Sequence, residues 1–151
     1  MSMADNMALR NFDQAPLAMG IWLNRRAART QAERWIREFK VKTQGPKAAI
    51  GTLSGGNVQR AVLARELSED VDVLIVANPC FGLDFASVAD IRAQIMEQRN
   101  RGAAVLLVSE DLDEILELSD RIAVMSGGKV AYLTPGAGAD RTTIGRYMAG
   151  H

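Results

Sequence analysis

The chain has 151 residues, 48% hydrophobic and 24% charged, which is ordinary for one soluble globular domain and leaves enough residues for a core. Lysine plus arginine equals aspartate plus glutamate at 18 each, so charge gives no reason to expect nucleic acid as a partner. The single cysteine, Cys80, excludes an intrachain disulfide and favours a reducing compartment. The only histidine is the terminal His151, so we do not expect a catalytic thiol at Cys80.

Helices are predicted for the first part of the chain. Residues 3–10 favour a short helix, and residues 26–40 place apolar side chains at helical spacing. Residues 41–52 contain glycine and proline without periodicity, so they indicate a loop. A further helix is predicted to begin after Ser54. The side chains predicted to face the core are Ala32, Trp35, Ile36 and Phe39 on one helix and Val58, Val62 and Leu67 on the other.

Two surface features of this part each have two interpretations. The apolar pair Trp22 and Leu23 lies near a loop, where we favour hydrophobic packing over a partner contact. A basic cluster favours a solvated helix face, with a docking surface as the alternative; its members are Arg25, Arg26, Arg29 and Arg34.

After about residue 70 the pattern changes to buried strands alternating with helices. The apolar runs 71–77 and 103–109 predict parallel strands buried on both faces, connected by an amphipathic helix over 85–102. The core of that helix is predicted to be Val88, Ile91 and Ile95, with Gly102 as its C-cap. The remaining predicted elements are a short helix over 111–119, a hairpin of 121–125 with 129–133, and a helix over 142–150.

Chemistry is expected at the carboxyl ends of the two parallel strands, where such sheets bind ligands. Those ends are Ala77–Asn78 and Ser109–Glu110. The "LSGG" turn at 53–56 offers a second place, because it puts a hydroxyl and flexible backbone at a helix N-terminus, which favours phosphate oxygens. Taken alone, the four residues are better explained by Ser54 as an ordinary N-cap residue.

The order of these segments resembles an ATP-binding-cassette (ABC) ATPase over nearly all of residues 50–133. "LSGGNVQRAVLAREL", "DVDVLIVANP", "GLD" and "AAVLLVSEDLDE" stand where that family has its signature motif, its Walker B strand, its D-loop and its switch region. "SMADNMALRNF" and "TTIGRYMAG" further resemble the second ATPase domain of duplicated simple-sugar and nucleoside importer subunits. The resemblance implies an α/β fold: a partial P-loop NTPase core with parallel strands, a C-terminal hairpin and an N-terminal helical subdomain.

The resemblance also implies a domain division and a missing segment. Residues 1–69 would form the helical subdomain that carries the signature, and 70–151 the C-terminal part of the ATPase core. The P-loop, GxxxxGK[ST], is absent, since "SGGKV" at 126–130 has Val130 after the lysine and Ala123 at the first glycine position. The family's P-loop would lie upstream of residue 1, so the chain is expected to be part of a longer polypeptide.

Three positions depart from the family's hydrolytic pattern. Ala77 replaces the Mg²⁺-associated aspartate, and an alanine has no oxygen to hold the ion. Asn78 replaces the catalytic glutamate and cannot accept a proton. Loss of a general base lowers a reaction rate by about 10²–10⁴-fold. Glu110 replaces the switch histidine and adds negative charge beside phosphates. We therefore predict no catalytic residue and no metal ligand within this chain.

What remains fits a domain that completes a partner's site. ABC ATPases bind ATP between two domains facing head to tail, so the signature, Leu53, Ser54, Gly55, Gly56 and Asn57, would contact ATP held mainly by the other domain. Asp84 of the D-loop would lie at the domain–domain seam, although it also suits the cap of the following helix.

The resemblance implies Mg-ATP as cofactor of the intact assembly and no tight binding to this chain alone. Implied partners are the other ATPase domain of the same subunit, membrane permease subunits and, indirectly, a periplasmic or lipoprotein solute-binding protein. The location would be cytoplasmic, peripheral on the inner face of the membrane. The alternative is a non-catalytic regulatory or interaction module on the same scaffold, and an unrelated α/β domain is the remaining possibility.

Overall fold

The structure, a computed structural model, describes residues 1–68 and 71–150. The predicted boundary between 1–69 and 70–151 and the terminal His151 lie outside the described residues. The helices are α1 Met3–Met7, α2 Arg25–Glu38, α3 Gly55–Leu67, α4 Phe85–Asn100, α5 Leu112–Leu118 and α6 Arg141–Met148, with short 3-10 turns at Ala8–Arg10 and Ile50–Thr52. The strands are β1 Ala18–Met19, β2 Trp22–Leu23, β3 Val73–Ala77, β4 Ala104–Val108, β5 Arg121–Ser126 and β6 Lys129–Pro135.

The helices α1 and α2 form where the sequence predicts them, and capping residues start both. Ser2 and Asp5 make a reciprocal capping box on α1, and Asn24 accepts a hydrogen bond from the backbone of Ala27 at the start of α2. Trp35 and Phe39 are buried in the main core, as predicted.

The helix α3 is rotated relative to the predicted apolar stripe. Val58 and Val62 are only half-buried, whereas Ala61 and Ala64 are fully buried and Leu67 is buried as predicted. The two alanines lie three residues apart on one face, and their small side chains allow neighbouring helices to approach closely. The expectation for the two valines was therefore wrong, because the face of α3 that packs against α1, α2 and α4 is the one with Ala61, Leu63, Ala64 and Leu67.

A small hairpin, β1–β2, was not predicted. Met19 pairs with Trp22 across it, and Gly20 makes the turn with φ of +61°, a value that suits glycine. Trp22 is 74% exposed and Leu23 37% exposed, so the expectation that they pack within this chain was wrong. Each strand of the hairpin has only two residues, so the hairpin is too short to bury one of its faces.

The parallel pair β3–β4 has the predicted strand–helix–strand topology. Its register runs from Val73 opposite Ala104 to Ala77 opposite Val108. Only one face is covered, however: Leu74 and Val76 are buried against the helices. The other face is open, so the expectation of strands buried on both sides was wrong; its exposed apolar side chains are Val73, Ile75, Leu106 and Val108.

The helix α4 begins at Phe85, and Gly102 follows its end with φ of +107°, in keeping with the predicted C-cap. Ile91 and Ile95 are buried in the same core cluster as Trp35, while Val88 is half-buried. This helix therefore packs β3 and β4 against the helical first half of the chain.

The C-terminal part is the predicted hairpin with a helix against it. Gly127 and Gly128 both have positive φ at the turn between β5 and β6, and Tyr132 stacks on Tyr147 of α6 with ring centroids 4.5 Å apart. Over the described residues, β5 shares no sheet with β4. In the same part of the chain, none of the helices is both long enough and apolar enough to span a bilayer.

Candidate functional site

The residues of the "LSGG" stretch form an exposed corner at the start of α3. Ser54 occupies the N-cap position with extended backbone angles, and its side chain is exposed. Its side-chain oxygen does not accept a hydrogen bond from a backbone N–H of the first turn, so Ser54 is not the ordinary N-cap considered from the sequence. The backbone carbonyl of Ser54 accepts from the N–H groups of Asn57 and Val58, both at 2.9 Å, whereas the N–H groups of Gly55 and Gly56 precede the first intrahelical hydrogen bond. Leu53, by contrast, packs against the main core.

The Ser54 hydroxyl is held by Asn57, one turn further along. The Asn57 amide nitrogen donates to Ser54 Oγ at 2.9 Å, and the Asn57 side-chain oxygen accepts from the backbone N–H of Lys42 at 2.7 Å. The amide is thereby fixed between the corner and the preceding loop. A hydroxyl that accepts a hydrogen bond keeps its own proton to donate. No acceptor for that proton is found within residues 1–68 and 71–150.

The two glycines of the corner have different surroundings. A Cβ on Gly55 would meet nothing within 4 Å, whereas one on Gly56 would lie 3.4 Å from Leu83 Cδ2. Gly56 therefore faces the loop that follows β3, while the Gly55 backbone is open to solvent and to any ligand.

The carboxyl ends of β3 and β4 meet, as the parallel topology predicts. The backbone N–H of Asn78 donates to the carbonyl of Val108 at 2.7 Å, and the backbone N–H of Glu110 donates to Asn78 Oδ1 at 3.2 Å. Asn78 has a φ of +47°, in the left-handed region that asparagine tolerates better than most residues. Its side chain thus bridges the two strand ends.

The strand ends carry little that could hold a cation. Ala77, the last residue of β3, contributes only a methyl group, and Glu110 is exposed on the neighbouring strand end. Across residues 1–68 and 71–150, no group of three or more acidic, cysteine or histidine side chains is arranged to hold a metal ion. Mg²⁺ takes oxygen ligands, and the side chain of Ala77 has none to offer.

Asp84 caps α4, which confirms one of its two expected roles. Its carboxylate accepts from the backbone N–H of Ser87 at 3.1 Å and from the Ser87 hydroxyl, and Arg60 lies 3.6 Å away. These hydrogen bonds, with a smaller contribution from Arg60, hold the pKa of Asp84 below its usual value. The side chain is 70% exposed, so it is also accessible to another molecule.

Two residues of α3 that were not singled out from the sequence contact the neighbouring loops and α4. Gln59 reaches from α3 to the backbone carbonyls of Asn78, at 3.5 Å, and Pro79. Arg60 donates to the carbonyl of Lys40 at 3.0 Å and to the Ser87 hydroxyl. Their position in the helix that follows Ser54 is visible in the sequence, but only the fold shows which residues they contact.

A buried polar cluster lies beneath this loop. Burial first, and then the nearby Glu114, raises the pKa of the Cys80 thiol to about 12, so the thiol stays protonated at neutral pH. Glu114 is 1% exposed on α5, and Arg92 on α4 pairs with Glu117 and, at 3.5 Å, with Asp111. The cluster connects the loop after β3 to the N-terminus of α5.

The chain is similar over nearly its whole length to import ATP-binding proteins. It is 41% identical to the glucose import ATP-binding protein of Haloferax volcanii over 152 residues, which cover 99% of this chain and 28% of that protein. It is 35% identical to the nucleoside import ATP-binding protein of Lactococcus lactis, covering 99% and 30%, and to the guanosine import ATP-binding protein of Bacillus subtilis, covering 97% and 29%. This chain belongs to the ABC transporter ATP-binding proteins. It spans less than a third of the length of these relatives.

Solved structures of ABC ATPases share the fold. A dimeric ATP-binding cassette bound to ADP and phosphate superposes with a TM-score of 0.75 at 20% identity, covering 92% of this chain and 58% of that one. The ATP-binding subunit of an ABC transporter gives 0.76 at 16% identity, covering 99% and 62%. The predicted fold class, α/β with part of a P-loop NTPase core, is confirmed. A scan against protein-family models found no match.

Proposed function

We propose that this ABC chain is part of the ATP-binding subunit of an importer for simple sugars or nucleosides. The support is the agreement among relatives over almost the whole chain, each of them an import ATP-binding protein for a sugar or a nucleoside. Such a subunit works on the cytoplasmic face of the membrane with permease subunits, and indirectly with a periplasmic or lipoprotein solute-binding protein. Its energy source is ATP with Mg²⁺.

The observation that carries the proposal is the free proton of the Ser54 hydroxyl. Asn57 fixes the oxygen by donating to it, which leaves the O–H directed at no acceptor in the described part of the chain. The first N–H groups of α3 lie beside it, where the positive end of the helix favours anions. Together they suit the terminal phosphate of an ATP molecule held mainly by a second domain.

The chain supplies the signature and not the P-loop. We assign residues 1–69 to a helical subdomain and residues 70–151 to the C-terminal part of an ATPase core, with the P-loop contributed by residues outside the 151. Two observations support this division. The strands β4 and β5 are in separate sheets, as expected if a further strand lies between them. The apolar face of β3–β4 is also uncovered, with Ile75 68% exposed.

The site local to this chain is degenerate. Ala77 has no side-chain oxygen for Mg²⁺. The amide of Asn78 cannot act as a general base, and its oxygen already accepts a hydrogen bond from the backbone N–H of Glu110. The carboxylate of Glu110 adds negative charge where phosphate would lie. The competent ATP site is therefore the one in which the partner domain provides the P-loop and carboxylates, and this chain provides Ser54 and its neighbours.

The test is ATP hydrolysis by the intact subunit carrying Ser54→Arg. An arginine at the corner fills the space that phosphate needs and removes the hydroxyl donor, so we expect loss of at least about 10²-fold in rate, the order found for a lost transition-state donor. Ala77→Asp should change the rate little, because Asn78 still lacks a base. Thr30→Arg, an exposed position on α2, controls for the added arginine.

Normal hydrolysis by Ser54→Arg would refute the proposal. In that case the alternative, a non-catalytic regulatory or interaction module on the same scaffold, would stand.

A further inference from the structure

The first turns of α3 lie against the loop that joins β3 to α4. We use "β3–α4 loop" for residues 78–84. A Cβ on Gly56 would lie 3.4 Å from Leu83 Cδ2, so the helix backbone approaches this loop closely. Gln59 is half-buried and donates from its side-chain amide nitrogen to the backbone carbonyl of Pro79. Residues three apart on a helix share a face, so Gly56 and Gln59 hold the loop from the same side of α3.

Asn78, the first residue of the β3–α4 loop, connects α3 to both strand ends. Its backbone carbonyl also accepts from the Gln59 amide, at 3.5 Å, and its side-chain oxygen accepts from the backbone N–H of Glu110 at 3.2 Å. Its own backbone N–H donates to the carbonyl of Val108 at 2.7 Å. Asn78 has a φ of +47°, and a left-handed conformation of this kind persists where the surrounding contacts fix it.

Under the proposed function, the two ends of this series of contacts belong to different ATP sites. Ser54 and Asn57, at the start of α3, serve the ATP molecule that the other domain holds. Asn78 and Glu110 lie at the strand ends, where the domain to which this chain belongs would hold its own nucleotide. Gln59 lies between them, because it is in the second turn of α3 and donates to the backbone of the strand end.

We propose that Gln59 is a positioning residue that couples the two ATP sites. Coupling between sites is carried by hydrogen bonds and by secondary-structure elements that move as rigid bodies. Here the loop beside one site is held by one side chain, and that side chain is on the helix whose first turn serves the other site. A nucleotide retained at the degenerate site without hydrolysis would then still influence hydrolysis at the competent site. The inference rests on the proposed function for the assignment of the two sites.

Two variants of the intact subunit remove the amide donor in different ways. Gln59→Met keeps the length of the side chain without a polar group, and Gln59→Glu keeps its shape but offers only acceptors at neutral pH. The matched control is Gln31→Met. Gln31 is also a half-buried helical glutamine, and its amide exchanges two hydrogen bonds of 3.2 Å with Asn11, far from the β3–α4 loop in sequence. The thermal midpoint should therefore fall by a similar small amount in the two methionine variants.

The measurement is a double-mutant cycle on ATP hydrolysis by the intact subunit. Glu110→Gln changes the domain's own site, because it removes negative charge where phosphate would lie and keeps the backbone N–H that donates to Asn78. In the unsubstituted subunit and in Gln31→Met, we expect Glu110→Gln to change kcat/KM by at least about fivefold, the lower end of typical coupling between sites. In Gln59→Met and Gln59→Glu the change should be below about twofold, the range expected for independent positions.

Three results would overturn the coupling role of Gln59. They are a change in kcat/KM of the same size in every background, no effect of Glu110→Gln in the unsubstituted subunit, and loss of the effect in Gln31→Met as well, which would assign it to general destabilisation. Failure of the proposed function is distinguishable from all three. It would appear as normal hydrolysis by Ser54→Arg, whereas the three results above leave the response to Ser54→Arg unchanged.

Discussion

Asn57→Ala tests whether the amide holds the signature corner as the structure shows. The substitution removes the hydrogen bond to Ser54 Oγ at 2.9 Å and the one from the Lys42 N–H at 2.7 Å. A neutral hydrogen bond contributes about 0.5–1.5 kcal/mol, and because these two are exposed we take about 0.7 kcal/mol for each. Alanine returns about 0.5 kcal/mol of helix propensity. The free energy of unfolding should therefore fall by about 1 kcal/mol.

Denaturant unfolding of the chain, followed by circular dichroism, measures the change directly. A loss of about 1 kcal/mol corresponds to a fall in Tm of about 2–4 °C for a domain of this size. Gln44→Ala is the matched control, because Gln44 is an exposed amide in the same loop region. It should leave stability within about 0.5 kcal/mol.

Asn57→Asp separates stability from function. A carboxylate at this position still accepts from Lys42, and it suits the helix N-terminus, so the variant should be at least as stable as the alanine variant. It can no longer donate to Ser54 and instead competes for the hydroxyl proton, so ATP hydrolysis by the intact subunit should fall. Unchanged stability in the alanine variant, or full hydrolysis in the aspartate variant, would refute the role given to Asn57.

Three further predictions follow from other parts of the chain. A Cβ on Gly136 would lie 1.8 Å from the carbonyl oxygen of Ser119, so Gly136→Ala should destabilise the chain by about 1–3 kcal/mol in urea unfolding. Gly145 lies in α6 with open space around it, so Gly145→Ala should stabilise the chain by about 0.5–1 kcal/mol. Changes of the same sign in the two variants would contradict the structure. Cys80, with its pKa raised to about 12, should react with thiol reagents at pH 8 far more slowly in the folded chain than in denaturant. Folding lowers the pKa of Asp84 below the unfolded value of 3.8. The ionised carboxylate therefore stabilises the fold above pH 3.8, and this stabilisation is lost as the pH falls through the lower folded pKa. In Asp84→Asn, stability should depend less steeply on pH in this acid range.

Most elements could be predicted from local patterns in the sequence. The runs 71–77 and 103–109 contain enough apolar residues to predict strands, and the two glycines of the "SGG" turn predict a hairpin. Which faces of those strands are covered could not be predicted, because coverage depends on residues far away in sequence. The open face with Val73 and Ile75 shows this directly.

The misses have specific physical causes. In α3 the hydropathy pattern favoured Val58 and Val62, but the buried face is set by where α1, α2 and α4 lie, and these helices are distant in sequence. The β1–β2 hairpin is too short for any periodicity, and Gly20 was the only local signal.

The position of the candidate site stays a prediction, and the geometry of its corner could not be predicted. The spacing of Ser54 and Asn57 is visible in the sequence, since residues three apart on a helix are neighbours. Two hydrogen-bonding patterns were compatible with that spacing: Ser54 capping the helix itself, or Ser54 held by Asn57. Only the fold distinguishes them, because the second depends on Lys42 in the preceding loop. Likewise, the Asp84 cap was predictable, and its contact with Arg60 was not.

A structure of the complete importer with a non-hydrolysable ATP analogue tests the central claim most directly. We predict that Ser54 Oγ lies within hydrogen-bond distance, about 3 Å, of a terminal phosphate oxygen of an ATP analogue that is held by the P-loop of the other domain. Asn57 should still donate to the serine oxygen in that complex. A corner turned away from every phosphate, with Ser54 bonded only within its own chain, would contradict the account.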